Sequence, residues 1–383
     1  EQCVNPKSNA QHCGGCRLRC RSKVCVEGRC VLHADNVFAD ARRTCTVLQG
    51  QLKCWGDNLY RNVDYPRWYR IRSPPNYFID IQGQSVKQIL SQKGSGLRTC
   101  VRTPKGLVFC WNNRGHDVRS GPIEKMSFSS RVHHLTADNY RVCGLTEHGE
   151  VQCLESDSTK NPTSVYLFGR KAMDLASGFG SSCVVLKEGP VQCWGDNSRG
   201  QLGYGDFTVR QKPDGRSVRL HGRKAIQLAM GDGVTCALFE GGKVTCWGKN
   251  LDGELGLGLD PQSVPKLNRP LTHHVDLSNV RVQFVASHSH HVCVLLADGG
   301  IKCWGSNRHG QLGYPDLKSR NKPEFNALDF QGKKALQISC GGDHTCAVLE
   351  DHSVRCWGYN SSGELGHGHR HPLLKPIFEP PMR

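Results

Sequence analysis

The chain carries 21 cysteines, and most of them fall into pairs at one spacing along residues 45–356. The pairs are Cys45 with Cys54, Cys100 with Cys110, Cys143 with Cys153, Cys183 with Cys193, Cys236 with Cys246, Cys293 with Cys303 and Cys346 with Cys356. Six of these seven pairs are ten residues apart and the first is nine apart. Cysteines at a fixed short spacing can form disulfides or bind a metal ion. A reducing compartment gives no structural reason to keep so many thiols unless they bind metal.

The residues between paired cysteines decide between these two chemistries. Cys236 and Cys246 enclose short apolar runs around a Glu-Gly-Gly loop, a pattern typical of a β-hairpin with a three-residue loop. The third loop position is Gly in five hairpins and His352 in a sixth, and the nine-spaced pair has the two-residue loop Gln49-Gly50. Because loop length changes with cysteine spacing, each pair stays directly opposed and within disulfide range. A metal site would not need this coupling, so we predict seven disulfides, each within one hairpin.

The hairpins belong to a longer repeat. Their first cysteines follow one another at intervals of 40 to 57 residues. A short strand pattern precedes most pairs, at 86–90, 172–176, 225–229, 282–286 and 335–339. A further strand is expected between units, as at 77–81 and 218–220. About four strands per unit and seven units predict an all-β, seven-bladed β-propeller of four-stranded blades over residues 33–383, with a solenoid as the alternative.

A ten-residue turn motif follows the second cysteine in the last four units. Residues 194–203, 247–256, 304–313 and 357–366 all fit Trp-Gly-x-Asn-x-x-Gly-Gln/Glu-Leu-Gly. This motif resembles the repeat of the regulator of chromosome condensation family, whose fold is a seven-bladed propeller. The first three units depart from it: 55–58 and 111–113 keep only its opening, and Cys153-Leu154 lacks the Trp. We expect the Asn to bond local backbone, the glycines to permit tight turns, and Trp and Leu to be buried between blades.

The resemblance implies a binding role more than a reaction. Members of the family include nucleotide-exchange factors for small GTPases and chromatin-binding proteins, and a secreted bacterial β-lactamase inhibitor has a similar propeller. All use loops on one face of the propeller to bind a protein. A GTPase or chromatin role fits poorly with a disulfide in every blade, because those partners are intracellular.

Residues 1–32 form a separate cysteine-rich module in this prediction. They contain Cys3, Cys13, Cys16, Cys20, Cys25 and Cys30 and almost no large apolar residue. Such a segment needs covalent staples, so three disulfides are expected, although Cys13-x-x-Cys16 could instead begin a zinc site. The start at Glu1-Gln2-Cys3 fits a mature chain whose leader has been removed.

Charge and composition limit the partners. Lys plus Arg number 50 and Asp plus Glu 34, a formal net charge of +16. This excess favours an acidic protein or glycan, with nucleic acid less favoured in an oxidised chain, and a basic protein without a polyanionic partner is the alternative. No apolar run reaches 18 residues, no cofactor is predicted, and no Gly-x-Ser-x-Gly, His-Glu-x-x-His or phosphate loop occurs.

Two groups of residues are candidates for binding. The position two residues before the first cysteine of each pair holds Arg43, Arg98, Arg141, Ser181, Val234, His291 and His344. Because blades six, seven, one, two and three are contiguous in a ring, these Arg and His could form an anion-binding crescent. Alternatively, they pack between blades. The second group is an aromatic and Arg-rich stretch at 60–77, in the divergent blades. The predicted binding residues are Arg42, Arg43, Arg98, Arg141, Tyr65, Trp68 and Tyr69.

The sequence does not assign one role to two histidine clusters and one cysteine. The clusters at 288–291 and 367–371 are metal-ligand candidates or solvated loops. Cys340 is left over after pairing and is either a buried thiol or an intermolecular bridge.

The sequence therefore predicts an extracellular or cell-surface binding protein, an adhesion or assembly component that uses one propeller face. Two alternatives are a secreted inhibitor of a hydrolase and an enzyme acting on anionic polysaccharide.

Overall fold

The computed structural model describes residues 34–56, 80–91, 98–112, 123–155 and 161–376, together with two short strands at 25–26 and 29–30. The aromatic stretch at 60–77, and with it Tyr65, Trp68 and Tyr69, lies outside these residues. So does most of the cysteine-rich module, including Cys3, Cys13, Cys16 and Cys20. Of that module, the structure shows a two-stranded ladder in which Cys25 stands opposite Cys30.

The regular elements of the described residues are all β-strands, and they form seven antiparallel sheets, one per blade. The small ladder contains β1 (Cys25–Val26) and β2 (Arg29–Cys30). Blade 1 contains β3 (Asn36–Ala39), β4 (Arg43–Leu48) and β5 (Gln51–Gly56). Blade 2 contains β6 (Gln88–Ser91), β7 (Arg98–Arg102), β8 (Val108–Asn112) and β9 (Glu124–Lys125). Blade 3 contains β10 (Val132–Ala137), β11 (Arg141–Thr146), β12 (Val151–Glu155) and β13 (Thr163–Val165). Blades 4 and 5 contain β14 (Ala172–Gly178), β15 (Ser181–Leu186) and β16 (Val191–Gly195); and β17 (Ala225–Met230), β18 (Val234–Phe239), β19 (Val244–Lys249) and β20 (Lys266–Leu267). Blades 6 and 7 contain β21 (Val282–Ser287), β22 (His291–Leu296) and β23 (Ile301–Gly305); and β24 (Ala335–Cys340), β25 (His344–Leu349) and β26 (Val354–Gly358). The predicted fold class is confirmed.

The second and third strands of each blade form the predicted cysteine hairpin. Paired cysteines are register partners in all seven blades, and each pair is joined by a disulfide at a Cα separation of 4.0–4.1 Å. The bonds join Cys45 to Cys54, Cys100 to Cys110, Cys143 to Cys153, Cys183 to Cys193, Cys236 to Cys246, Cys293 to Cys303 and Cys346 to Cys356. The pairing inferred from cysteine spacing is therefore the pairing that the structure has.

The hairpin loops also have the expected geometry. The third loop residue has a left-handed backbone, as in Gly242 with φ 79°. Even His352, which stands where the other three-residue loops have glycine, adopts this conformation with φ 59°. The left-handed turn thus belongs to the position in the repeat, and glycine is the residue that adopts it without steric cost.

The outer edge of the blades differs from the prediction. Three blades have a fourth strand of two or three residues, whereas in blades 4, 6 and 7 a single bridge replaces it, as between Gly195 and Arg210. The expected strand at 218–220 is wrong: Val218 donates one backbone hydrogen bond to Val191, but no ladder follows. The buried side chains of Val218 and Leu220 pack against the next blade instead. The apolar residues at 218–220 therefore indicated buried side chains and not a paired strand.

The turn motif of blades 4 to 7 joins each of these blades to the one that follows it in the ring. The indole N–H of Trp247 donates to the carbonyl of Gln201, the eighth residue of the preceding blade's motif, at 3.0 Å. The same bond recurs from Trp304, Trp357 and, closing the ring, from Trp55 to Glu364. All four indoles are buried. Within each motif the Asn side chain bonds local backbone, as expected.

The first strand of each blade lies nearest the axis, where it contacts the first strands of its neighbours. Adjacent blades are also linked at the start of these strands, since Ala225 N donates to Gly189 O at 3.1 Å and Ala34 N donates to His352 O at 2.8 Å. We call this the hairpin end, because the cysteine hairpin loops lie here, and we call the opposite end, where the turn motifs lie, the turn end. Within the described residues, no helix has the length and apolar character needed to cross a membrane.

Candidate functional site

A central channel of about 510 Å³ is lined by the first strands of all seven blades. The residues at one equivalent position of these strands are Asn36, Gln88, His134, Asp174, Gln227, Phe284 and Gln337. Gln227 binds the next strand with both ends of its amide: it donates to Val285 O and accepts from Val285 N, each at 3.0 Å. The amides of Gln88 and Gln337 make the same pair of bonds to their neighbours. The glutamines therefore close the gaps between first strands.

Two titratable groups take the place of glutamine in blades 3 and 4. Burial lowers the pKa of His134 to about 4, with added repulsion from Arg102 and His133. Burial raises the pKa of Asp174 to about 6, although this carboxylate accepts a hydrogen bond from Leu228 N at 2.7 Å. The Asp174 carboxylate has no hydrogen to donate to the carbonyl of the neighbouring strand. It therefore makes only one of the two hydrogen bonds that glutamine makes at this position.

The predicted crescent lies at the turn end, but its residues begin the second strands and do not lie in loops. Arg43 is 5% exposed, forms an ion pair with Asp40 at 2.8 Å and donates to Ser91 of blade 2. His344 Nε2 lies 2.9 Å from Thr44 Oγ1 of the next blade.

The other predicted residues differ in burial and in contacts. His291 Nε2 lies 2.8 Å from Thr345 Oγ1, and Arg98 is buried. Arg141, a quarter exposed, lies 4.0 Å from Asp138. Arg42 is exposed. The structure thus places Arg43, His291 and His344 in contact with the neighbouring blade, as in the alternative that the sequence left open. The binding role of the remaining members stays a prediction.

The hairpin end carries a second set of cations, which alignment on the cysteines missed. The residue just before the first strand is a cation in five consecutive blades: Arg131, Lys171, Lys224, Arg281 and Lys334. We call these five residues the cation arc, and all are exposed. Lys224 shows how the backbone is fixed, since its carbonyl accepts from Glu240 N at 3.0 Å. Aligning the units on the first strand, instead of on the cysteines, would have revealed the arc.

The remaining candidates are accounted for by local contacts. Cys340 is a buried thiol, the first of the two states that the sequence allowed, and burial raises its pKa. Its sulfur lies within 4.8 Å of ligand atoms of His291 and Cys293, but Cys293 is disulfide-bonded to Cys303.

The histidine clusters also have partners. Lys249 Nζ lies 2.7 Å from His290 Nδ1, and burial together with Lys249 lowers the pKa of His290. In the second cluster the rings of His367, His369 and His371 are neighbours, with centroids 5.9 and 5.6 Å apart. His369 Nδ1 already accepts a hydrogen bond from His371 N.

Known proteins share both the repeats and the fold. The regulator of chromosome condensation (RCC1) repeat matches residues 188–238 and 298–348, and a second description of the same repeat matches 174–201, 225–254, 282–311 and 336–364. The ultraviolet-B receptor UVR8 of Arabidopsis thaliana is 28% identical over 68% of this chain and 59% of its own length. The chain spans less than two thirds of the curated relatives that it matches.

Two solved structures show the same architecture. Prp20p of Saccharomyces cerevisiae, described with its binding to Gsp1p and histones, superposes with a TM-score of 0.71 at 19% identity, covering 90% of this chain and 89% of that one. The ectodomain of the Arabidopsis thaliana receptor kinase ACR4 gives a TM-score of 0.51 at 17% identity, covering 85% and 95%.

These comparisons agree with the seven blade sheets. The chain is a seven-bladed β-propeller. It carries RCC1 repeats in blades 4 to 7, and its described blades form an RCC1-like propeller.

Proposed function

We propose that this protein is an extracellular or cell-surface binding protein that recognises an acidic partner through one face of its propeller, and that it does not catalyse a reaction. The observation that carries this proposal is the combination of a disulfide in every blade with an exposed row of cations at one end of the channel.

The disulfides support the location. Seven cystines in one domain persist in an oxidising compartment and are reduced in the cytosol. Each closes a loop of about ten residues, which gives roughly 2–3 kcal/mol by the chain-entropy estimate. A protein that must stay folded outside the cell benefits from all seven.

Charge and relatives support the binding role. The net charge of +16 attracts acidic partners over long range. Prp20p, which shares the fold of this chain, is described with binding to Gsp1p and histones. The ACR4 propeller is the ectodomain of a receptor kinase. The extension of these roles to this chain is our inference.

Two measurements test the proposal. Peptide mapping of the native protein without reductant should recover all seven pairs oxidised; thiols in place of these pairs would contradict an extracellular site. Biosensor binding to immobilised polyglutamate and heparin, with polylysine and neutral dextran as controls, should show affinity for the polyanions that falls as salt rises. If the protein binds neither polyanion at low ionic strength, the acidic-partner proposal is wrong.

A further inference from the structure

Building on the proposed function, we infer that the hairpin end of the channel is the binding face, and that its occupant is an acidic peptide segment of a partner protein that also presents apolar side chains. The inference rests on the cation arc and on a set of exposed apolar residues beside it.

The position of the cation arc follows from the repeat. Each cation precedes the innermost strand of its blade, and its Cβ packs over the hairpin glycine of the preceding blade, as Lys334 does over Gly299. The following residue is tied to that same glycine, since Ala335 N donates to Gly299 O at 2.9 Å. The five side chains are therefore held at equivalent places around one channel opening.

Most of this charge is available to a partner. Among the residues that the structure describes, Lys224, Arg281 and Lys334 take part in no ion pair, whereas Lys171 pairs with Glu150 at 3.1 Å. Acidic side chains such as Glu240 lie in the hairpin loops. These loops connect second and third strands and so lie farther from the axis than the arc. A ligand with carboxylates would be drawn toward the channel opening.

Apolar side chains line the same opening. In five blades a β-bulge follows the first residue of the first strand and leaves the second residue outside the ladder. In blades 4, 5 and 7 this residue is Met173, Ile226 or Leu336, which are 43%, 38% and 54% exposed. Phe284 of blade 6, one position farther along, is 40% exposed. We call these four residues the apolar rim.

The apolar rim decides the class of ligand. Exposed apolar residues enclosed by polar ones mark protein interaction sites. A sulfated glycan or a nucleic acid backbone would satisfy the cations but would leave the rim uncovered. A peptide with both carboxylates and apolar side chains satisfies both features. The rim occupies only part of the opening. In blades 1 to 3 the equivalent residues are Asp35, Lys87 and His133, of which only His133 lies in a bulge. We therefore expect the peptide to lie over blades 4 to 7.

Three variants of the full chain test the inference. The arc variant carries Lys224→Gln, Arg281→Gln and Lys334→Gln. The rim variant carries Met173→Thr, Ile226→Thr and Leu336→Thr. The control removes the same charge from exposed lysines near the turn end of blades 4 and 6, by Lys212→Gln, Lys318→Gln and Lys322→Gln. Thermal unfolding of each variant establishes that the propeller is intact.

The probes are two synthetic peptides, a glutamate run in which every third residue is leucine and its counterpart with serine. The wild-type chain should bind the leucine peptide more tightly. The arc variant should weaken binding of both peptides about tenfold, since each exposed pair contributes modestly, and the control variant should change it far less. The rim variant should remove the preference for leucine.

Other outcomes overturn the inference. If the control weakens binding as much as the arc variant, only net charge matters and the hairpin end is not the site. If the wild-type chain binds both peptides equally and the rim variant changes nothing, the surface recognises a polyanion and not an acidic apolar peptide. In both cases the protein still binds anions, so the proposed function stands; wild-type protein that binds neither these peptides nor heparin refutes the proposed function itself.

Discussion

The two ends of the channel each repeat a cationic residue from blade to blade, yet they use it differently. At the turn end, Arg43, His291 and His344 are buried and bond the neighbouring blade. At the hairpin end, Lys224 and Lys334 are exposed, and it is the backbone of the residue after each that bonds to the preceding blade. A repeated basic residue is therefore evidence of a repeated position, and burial decides whether its side chain bonds the neighbouring blade or is exposed to solvent.

The turn end should be the sensitive one. We expect Trp304→Ala to lower the free energy of unfolding by about 3–5 kcal/mol, because it removes a fully buried ring and the bond to Glu254 O. Leu336→Ala, on the apolar rim at the hairpin end, should change it by less than about 0.5 kcal/mol. Urea denaturation followed by circular dichroism measures both. Equal losses would remove the distinction between the two ends.

The sharpest version of the comparison lies within blade 7. His344→Ala should cost about 2 kcal/mol or more, since it creates a cavity and leaves Thr44 without its imidazole partner. Lys334→Ala, in the same blade but at the opposite end, should stay within about 0.5 kcal/mol. The same denaturation series compares them. A stable His344 variant would show that the turn-end set is not needed between blades.

Between the two ends, the ring of glutamines can be completed. Asp174→Gln should raise the free energy of unfolding by about 1–2 kcal/mol at pH 7, because glutamine can also donate to the neighbouring carbonyl. The pKa of Asp174 is raised from 3.8 to about 6. The stability that protonation of Asp174 contributes is thus fully present below pH 3.8 and is lost as pH rises through 6. The gain from glutamine should shrink as pH falls from about 7 toward about 4, as urea titrations at several pH values would measure. A gain independent of pH would contradict this origin.

The smallest effect concerns Cys340, the last residue of its strand at the turn end. Its thiol is buried and burial raises its pKa, so native protein should resist alkylation by iodoacetamide at about pH 8 and react only after unfolding. Cys340→Ala should cost about 1 kcal/mol and leave the protein monomeric on a gel without reductant. Rapid labelling of the folded chain would place this sulfur at the surface.

The fold was largely predictable because its determinants are local and repeat. Cysteine spacing determined the hairpin register, and the turn motif marked blades 4 to 7. Less could be predicted where a pattern has two explanations. The apolar residues Val218 and Leu220 are buried without forming a strand. Their alternating pattern is the same for buried side chains in a loop and for a paired strand, so the sequence did not distinguish the two.

The candidate site was harder to predict for a related reason. The position of Arg43 in the repeat was visible, but its contact with Ser91 of the next blade joins residues 48 positions apart in the chain. The residues of the cation arc share one position of the repeat only when the units are aligned on their first strands. The aromatic residues Tyr65, Trp68 and Tyr69 stay a prediction.

The closing of the ring has a consequence for the order in which the molecule forms. The bond between Thr44 and His344 joins residues 300 positions apart, whereas its counterpart between His291 and Thr345 spans 54. Loop entropy grows only with the logarithm of length, so closure costs at most about 1.5 kcal/mol more than joining two adjacent blades. The two bonds differ more in how late they can form during synthesis. During synthesis from the amino terminus, blade 1 forms without a neighbour on one side, and Trp55 has no bond to Glu364 until blade 7 has been made. The nascent propeller therefore keeps one open, apolar flank for most of its synthesis, and that flank is where assistance during folding matters most.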